Sequence, residues 1–509
     1  MTARRALAAL AVALLVAGAG CQGIAPADEA PAPPENPDLP DPETDVLGWE
    51  DGVWHNESIA VDQADGLNDT ELRAYVARSM ARVEHIRGRE FQSRVPVEVI
   101  SRAEYRNRSS SGGDSGTYGE WNNQVWEAMW AVGEDADVQE LLSSTLGESV
   151  VGFYSPGDDE IKIVTPTPER PTIDNATLVH ELVHALQDQH YDLTGSAYSA
   201  PRQDGDLAVS SLVEGDARYV EYRYGERCGV DWACVPSPSG GGGGGGAPPN
   251  LAVSLTLYFP YADGPPWVAD LYDAGGWAAV DDAWADPPAS TEQVVHGVAD
   301  PPANVTVTDT TSDGWRRYDV GDGGADTLGE ASIAVGLWYQ SREYGASAVD
   351  WRDLVSADGP YDRYDYDYAP SAGWAGDAVV PYHNDTAAGY VWKSRWDTDA
   401  DATEFLKAYR AVLGAHDAEE VAAGTWVVAD GPFADAFRLE RTDRTVVVTN
   451  APTVAALDDV RTPDGNPATP DGDGDGPVPS SGFGPFAALG ALALLGAGAL
   501  LASRLFGPS

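Results

Sequence analysis

His180-Glu181-Leu182-Val183-His184-Ala185-Leu186-Gln187-Asp188-Gln189-His190 sits inside an apolar-rich stretch running from Ala176 to Leu193, and its reading decides the fold. The spacing predicts a helix over Thr177 to Gln189. A four-residue step then places His180 and His184 on one face, one turn apart, where two imidazoles can share one zinc ion, Zn2+. Glu181 projects about 100° round the same helix. From there it can take a proton from a metal-activated water without being a ligand, which makes it the candidate catalytic base. The flanks fit this reading. Val150-Val151-Gly152-Phe153-Tyr154 and Ile161-Lys162-Ile163-Val164 alternate like two strands joined through Pro156-Gly157-Asp158-Asp159. Zinc peptidases place such an edge strand beside the metal helix, where it can pair with an extended peptide.

A tetrahedral site needs a third protein ligand, and two residues compete. His190 stands at the third-histidine position of HExxHxxGxxH. The glycine that turns the chain back to the metal is replaced by Gln187, and no methionine follows Met129 to build a Met-turn. An unbroken helix also carries His190 away from the other two rings. Glu214 lies in Leu207 to Val220, a second predicted helix that could pack on the first and present its carboxylate, as in gluzincins. Glu214 is the preferred ligand. The competing account is a solvated acid in a very acidic protein.

The run Thr177 to Gln189, with Ser211-Leu212-Val213-Glu214-Gly215-Asp216-Ala217, resembles a family of zinc-metallopeptidase-like proteins found in bacteria and as surface proteins of haloarchaea. Tyr258 to Gly264, Pro287 to His296, Gly373 to Asp377 and Val391 to Asp397 are similar to further blocks of that family. Together they cover most of Leu47 to Thr449. The resemblance implies an α+β, zincin-like metallopeptidase fold, zinc at His180, His184 and Glu214, and Glu181 as the catalytic residue. It implies an activity class and not a substrate.

Charge bounds the partners. The 509 residues carry a net charge of −50, with 81 acidic residues against 31 Lys and Arg, and only three lysines, Lys162, Lys393 and Lys407. Acids spread along the whole chain keep a surface hydrated in molar salt, where repulsion is screened within a few ångströms, so a halophilic archaeon is the expected source. Nothing offers phosphates a positive field, which argues against nucleic-acid binding.

The ends read as export and anchoring. Residues 1–20 hold Arg4-Arg5, an apolar run and small residues before Cys21, a signal peptide with a lipobox and a lipid expected on Cys21. Residues 21–46 are a Pro- and acid-rich stalk. The zincin-like half is expected over 47–235, a Gly/Pro-rich linker over 236–250, a second α+β half over 251–458, and an Asp/Gly/Pro linker over 459–482. In 483–509, Phe483 to Ala502 is long and apolar enough for a transmembrane helix and is followed by Arg504. With the preceding Ser481-Gly482-Phe483, it resembles the archaeal Pro-Gly-Phe sorting signal. A cell-surface protein with its globular part outside follows, and Asn56, Asn68, Asn107, Asn175, Asn304 and Asn384 are then permissible glycosylation sites.

Inside the folded part, Glu71 to Ile86 predicts a helix, Val95 to Ile100 a strand and Asn122 to Leu142 a helical stretch. In the second half, Asp326 to Tyr344 reads as a helix. A hairpin is expected around Asn384-Asp385, a Thr398-capped helix over Asp399 to Leu413, and another hairpin at Thr442-Asp443. Cys228 and Cys234 could close a short disulfide loop after the Glu214 helix. His55 and His85 read as packing histidines. His296 is a candidate oxyanion donor, with a packed structural histidine as the competing account. Two functions follow: a membrane-tethered peptidase acting on extracellular peptides or proteins, or a non-catalytic structural or adhesion protein on a zincin scaffold. Loss of cleavage in Glu181→Gln separates them.

Overall fold

The computed structural model describes residues 41–109, 116–147, 150–236, 248–355, 359, 361 and 363–464. The leader, the lipobox Cys21, most of the stalk, the Gly run and the carboxy-terminal apolar segment lie outside the described residues. Among the described residues, no helix is long and apolar enough to cross a membrane.

The molecule is α+β: among the described residues, a three-stranded and a seven-stranded sheet are set among helices, with a two-stranded ribbon of Trp49–Glu50 and Val53–Trp54 beside them. The first sheet has three strands in the order Val97–Ser101, Glu160–Thr165, Gly152–Ser155, the first pair parallel and the second antiparallel. Gly152–Ser155 is therefore an edge strand, beginning two residues later than the alternation suggested. The second sheet has seven strands, Arg316–Arg317, Trp374–His383, Ala388–Trp396, Thr445–Ala451, Ala436–Thr442, Thr425–Val427 and Glu419–Ala422, every neighbouring pair antiparallel. Alternation sorts its faces. Tyr390, Trp392 and Trp396 join the large helical core, whereas Val391 meets Val380, Tyr382 and Val447 on the opposite face.

The expected helix at Glu71 to Ile86 is Asp69–Arg87, started by a capping box between Asn68 and Glu71. Asn68 Oδ1 accepts from the Thr70 and Glu71 amides for that cap, and the Asn175 side chain donates to the Val235 carbonyl. Asn122 to Leu142 is not one helix. Gly116–Ala128 and Val138–Gly147 are separated at Trp130, which takes a positive φ of 61°, and the Trp130 carbonyl accepts from Gln340 Nε2 at 2.8 Å. These helices share the core of the seven-stranded sheet, with Trp121, Val125 and Trp126 beside Trp374, Tyr390 and Phe437. The chain thus sends residues 116–142 across to the second half before returning to build the edge strand.

The metal-motif helix spans Asn175–Tyr191, capped by Asp174 at one end and by Asp192 in the left-handed region at the other. Leu178, Val179, Leu182, Val183, Ala185 and Leu186 pack with Ile161 and Ile163 of the sheet, Tyr75, Val76, Met80 and Val83 of the Asp69–Arg87 helix, and Ala217 and Val220. The helix carrying Glu214 runs from Gln203 to Glu226, four residues earlier than expected. No side chain at Arg202 caps it. The amide of Gln203 instead bonds Asp326 Oδ1 at 2.8 Å and that of Asp204 bonds the Thr327 carbonyl at 3.0 Å, partners far along the chain.

Gly215 lets the Gly264–Gly275 helix approach this backbone: a Cβ on Gly215 would stand 2.5 Å from the Gly264 carbonyl oxygen. Gly215→Ala is expected to cost about 1–3 kcal/mol by overpacking, read as a lowered denaturation midpoint; an unchanged midpoint would show that the two helices are free to part.

The remaining elements follow the sequence closely: Gly329–Glu343, Asp399–Ala415 with Thr398 capping, and hairpins at Asn384-Asp385 and Asp443-Arg444. Cys228 and Cys234 are disulfide-bonded. His55 and His85 stack at 3.8 Å between centroids, edge-on to Trp232, as packing residues.

Candidate metal centre

His180 and His184 direct their Nε2 atoms to one point, 3.0 Å apart. Glu214 Oε2 lies 3.2 Å from His180 Nε2 and 3.3 Å from His184 Nε2. Donor atoms bound at about 2.0–2.1 Å round a tetrahedral zinc sit roughly 3.3–3.4 Å from one another. The three donors already stand close to those separations.

Each of the three side chains is held from behind. His184 Nδ1 lies 2.9 Å from Gln187 Oε1, and Gln187 in turn donates to the Val213 carbonyl at 3.0 Å. His180 Nδ1 lies 3.3 Å from Glu221 Oε2, whose carboxylate is gripped by Arg218 NH1 at 2.8 and 3.0 Å. The Tyr261 hydroxyl donates to Glu214 Oε1 at 2.7 Å. The acceptor at His184 Nδ1 favours the tautomer whose Nε2 lone pair faces the cluster, whereas Glu221 acts on His180 through its charge, since His180 Nδ1 itself makes no hydrogen bond. A lone pair and a carboxylate aimed at one another repel unless a cation stands between them.

The electrostatics say the same. Burial opposes charging of His180, yet the carboxylates of Glu214, Glu221 and Glu181 raise it to about 10. Burial would raise Glu214, but His184 and His180 hold it well below the ordinary carboxylate range. Glu221 is likewise lowered by Arg218 and His180 against the effect of burial. The pocket is built for positive charge, which a proton on His180 or a divalent ion can supply.

Glu181 stands beside this cluster without joining it. Its Oε2 accepts from the Tyr154 amide at 2.8 Å, while Oε1 is buried with no hydrogen-bond partner. Burial raises its pKa against the pull of His180 and His184. Tyr154 also reaches Asp188 Oδ2 through its hydroxyl at 2.8 Å, so the edge strand is tied to the motif helix twice. His180, Glu181, His184 and Glu214 are 0–4 % exposed.

Two other sequence candidates fall elsewhere. His190 Nε2 lies 2.8 Å from the Glu90 carbonyl and its Nδ1 3.2 Å from Gln92, so the unbroken helix carries it off the site as the missing glycine implied. His296 Nε2 lies 2.9 Å from Glu330 Oε1 and clusters with Glu330 and Asp367, away from the His180–His184–Glu214 group. A buried donor at the cluster is Tyr261, through its bond to Glu214, which the sequence reading passed over. Gln187, Glu221 and Arg218 were missed as well. Gln187 and Glu221 carried a signal, one lying three residues after His184 and the other seven after Glu214, on the same helix faces.

Residues 316–461 match a family described as Domain of unknown function (DUF8575), a segment that holds all seven strands of the larger sheet and none of His180, Glu181, His184 and Glu214. No curated protein and no solved structure matches the chain.

Proposed function

We propose that the chain is a membrane-tethered, extracellular zinc-dependent peptidase of the gluzincin type, with zinc held by His180, His184 and Glu214. The observation that carries this reading is the convergence of two Nε2 atoms and one carboxylate oxygen within 3.0–3.3 Å, beside a second carboxylate that keeps one oxygen free. A bound zinc supplies Lewis acidity toward a carbonyl and acidifies water.

The chain's own residues supply the rest. Glu181, with a pKa raised by burial, is suited to accept a proton on Oε1 and return it to a leaving amine. The Tyr154 amide fixes the other oxygen and so sets the direction of that transfer. The edge strand Gly152–Ser155 offers an extended substrate a pairing surface next to the same carboxylate. Tyr261, Gln187 and Glu221 hold the ligands in register.

The near-complete burial of all four residues favours a second reading, a non-catalytic surface protein that keeps the ion for structure. Purified protein in molar salt decides between them. Cleavage of unstructured peptides that stops on chelation and returns with zinc supports the peptidase, whereas zinc uptake without cleavage supports the second reading.

Tyr261→Phe removes the hydroxyl that donates to Glu214. Zinc affinity is expected to fall roughly 10–100-fold in a competition titration with a chromophoric chelator. An unchanged affinity would show that the hydrogen bond does not tune the ligand.

A further inference from the structure

The face of the seven-stranded sheet that carries Val391 and Val447 borders a cavity of about 620 Å³ whose charge is opposite to that of the chain. The sequence holds 81 acids against 31 Lys and Arg. The cavity is lined by five bases, Lys393, Arg395, Arg441, Arg444 and Arg461, and by three acids, Glu440, Asp443 and Asp464. Strand alternation brings the first two there. Trp392 and Trp396 turn into the helical core, so Lys393 and Arg395 take the other face, Lys393 opposite Val447 and Arg395 opposite Thr445. The next strand continues the two rows with Glu440 and Thr442.

Two of the acids are already engaged. Arg461 pairs with both Glu440 and Asp464, and the Asp464 amide donates to Glu440 Oε1 at 2.7 Å. Three of the bases are not. Lys393 Nζ donates to the Thr306 carbonyl at 3.2 Å and Arg444 NH1 to the Asp397 carbonyl at 2.6 Å. Arg395 makes no hydrogen bond, and among the described residues none of the three forms an ion pair. Where acids outnumber bases by more than two to one, three cations without a carboxylate around one cavity leave a positive field open to an anion from outside. Molar salt screens the rest of the chain's charge beyond a few ångströms, so the groups lining the cavity decide what enters.

We propose that this cavity binds a short anionic saccharide, its carboxylate or sulfate groups set on Lys393, Arg395 and Arg444. The volume lies in the range of organic-ligand pockets, roughly 300–1,000 Å³, and far exceeds what a bare ion fills. Guanidinium forks hold such oxyanions through paired hydrogen bonds. Thr308, Thr442 and Thr445 add hydroxyls to the wall. Each can donate and accept, as the hydroxyls of a sugar do. Among the described residues no aromatic side chain lines the cavity, so a nucleobase finds no ring to stack on. The lining comes from residues 307–464, and none of it belongs to the helices that carry His180, His184 and Glu214. The cavity therefore serves attachment, independently of the zinc site.

Calorimetric titration of the full chain in molar KCl tests this, with trigalacturonate as the carboxylate probe, a sulfated disaccharide as the sulfate probe and maltotriose as a neutral sugar. One anionic saccharide per chain is expected to bind, and the tighter of the two names the charged group; maltotriose is expected not to bind. Lys393→Gln and Arg395→Gln are each expected to weaken that binding roughly tenfold, the loss of one charge-assisted hydrogen bond. Arg395 is exposed and makes no hydrogen bond, so its variant folds even if the Lys393 variant does not. Anionic probes that bind no better than maltotriose, or that bind the Arg395→Gln protein like the unaltered chain, overturn the site. Acetate or sulfate that matches the saccharides at equal charge overturns the assignment to a sugar. A peptide of residues 465–476, with three aspartates and no sugar, overturns it too if it binds as tightly, and gives the cavity to this chain's own acidic segment.

Discussion

Glu181→Gln is expected to lower peptide hydrolysis by roughly 10²–10⁴-fold, the range for removing a general acid–base, while leaving zinc content unchanged. Glu181 makes no contact with the donor atoms of the cluster that a ligand would make. Its oxygens are divided between the Tyr154 amide and a position with no protein partner. Glutamine keeps the shape and can still accept from Tyr154, so the fold and the three ligands stay in place. What is lost is the oxygen that can take a proton. Parallel measurement of bound zinc and initial rate separates the roles. Cleavage at the unaltered rate would remove Glu181 from the chemistry, and loss of zinc would make it a ligand.

Asp216→Ala is expected to cost about 3–5 kcal/mol of folding stability, the usual penalty for leaving a buried charge without its partner. Asp216 Oδ1 accepts from Arg87 Nε at 3.0 Å with both side chains 1–2 % exposed, and its Oδ2 accepts from Trp284 Nε1 at 3.0 Å. One residue thereby locks the Glu214 helix to the Asp69–Arg87 helix and to the Trp277–Ala285 helix. Molar salt does not soften the effect, because screening acts on exposed charges. Arg87 keeps a bond to the half-exposed Asp281 and its place over the Trp277 ring, which retains some of its pairing. Replacing both partners, Arg87→Met with Asp216→Leu, is expected to recover much of the loss, since an apolar pair of similar volume avoids desolvation altogether. Denaturant titration of the single and double variants checks this. A single variant within 1 kcal/mol of the unaltered chain would mean that the pair contributes nothing net.

The motif was legible because helix geometry alone relates His180, Glu181 and His184; no tertiary information enters a four-residue step. Glu214 was legible for a weaker reason, an acid on a predicted apolar helix, and its convergence on the two rings depends on how that helix packs. The absence of a glycine at Gln187 told correctly that His190 leaves the site. Tyr261 could not be found from spacing, because its hydroxyl reaches Glu214 only through the packing of the Leu251–Ala262 helix on the Gln203–Glu226 helix. The start of the Glu214 helix was misplaced for the same kind of reason: its amides are capped by Asp326 and Thr327, not by a local side chain. Residues 122–142 looked continuous because nothing in their apolar spacing marks the reversal at Trp130, which is secured by Gln340 from another helix. His296 carried a plausible residue type, and the fold gives it to Glu330 instead.

Zinc K-edge absorption on the full chain, with metal counted before and after His184→Ala, addresses the shared centre most directly. Two imidazole nitrogens and a carboxylate oxygen at about 2.0–2.1 Å, together with the loss of one zinc per chain in the variant, are the predicted result. A spectrum with fewer than two imidazoles, or a zinc count that His184→Ala leaves unchanged, would contradict it.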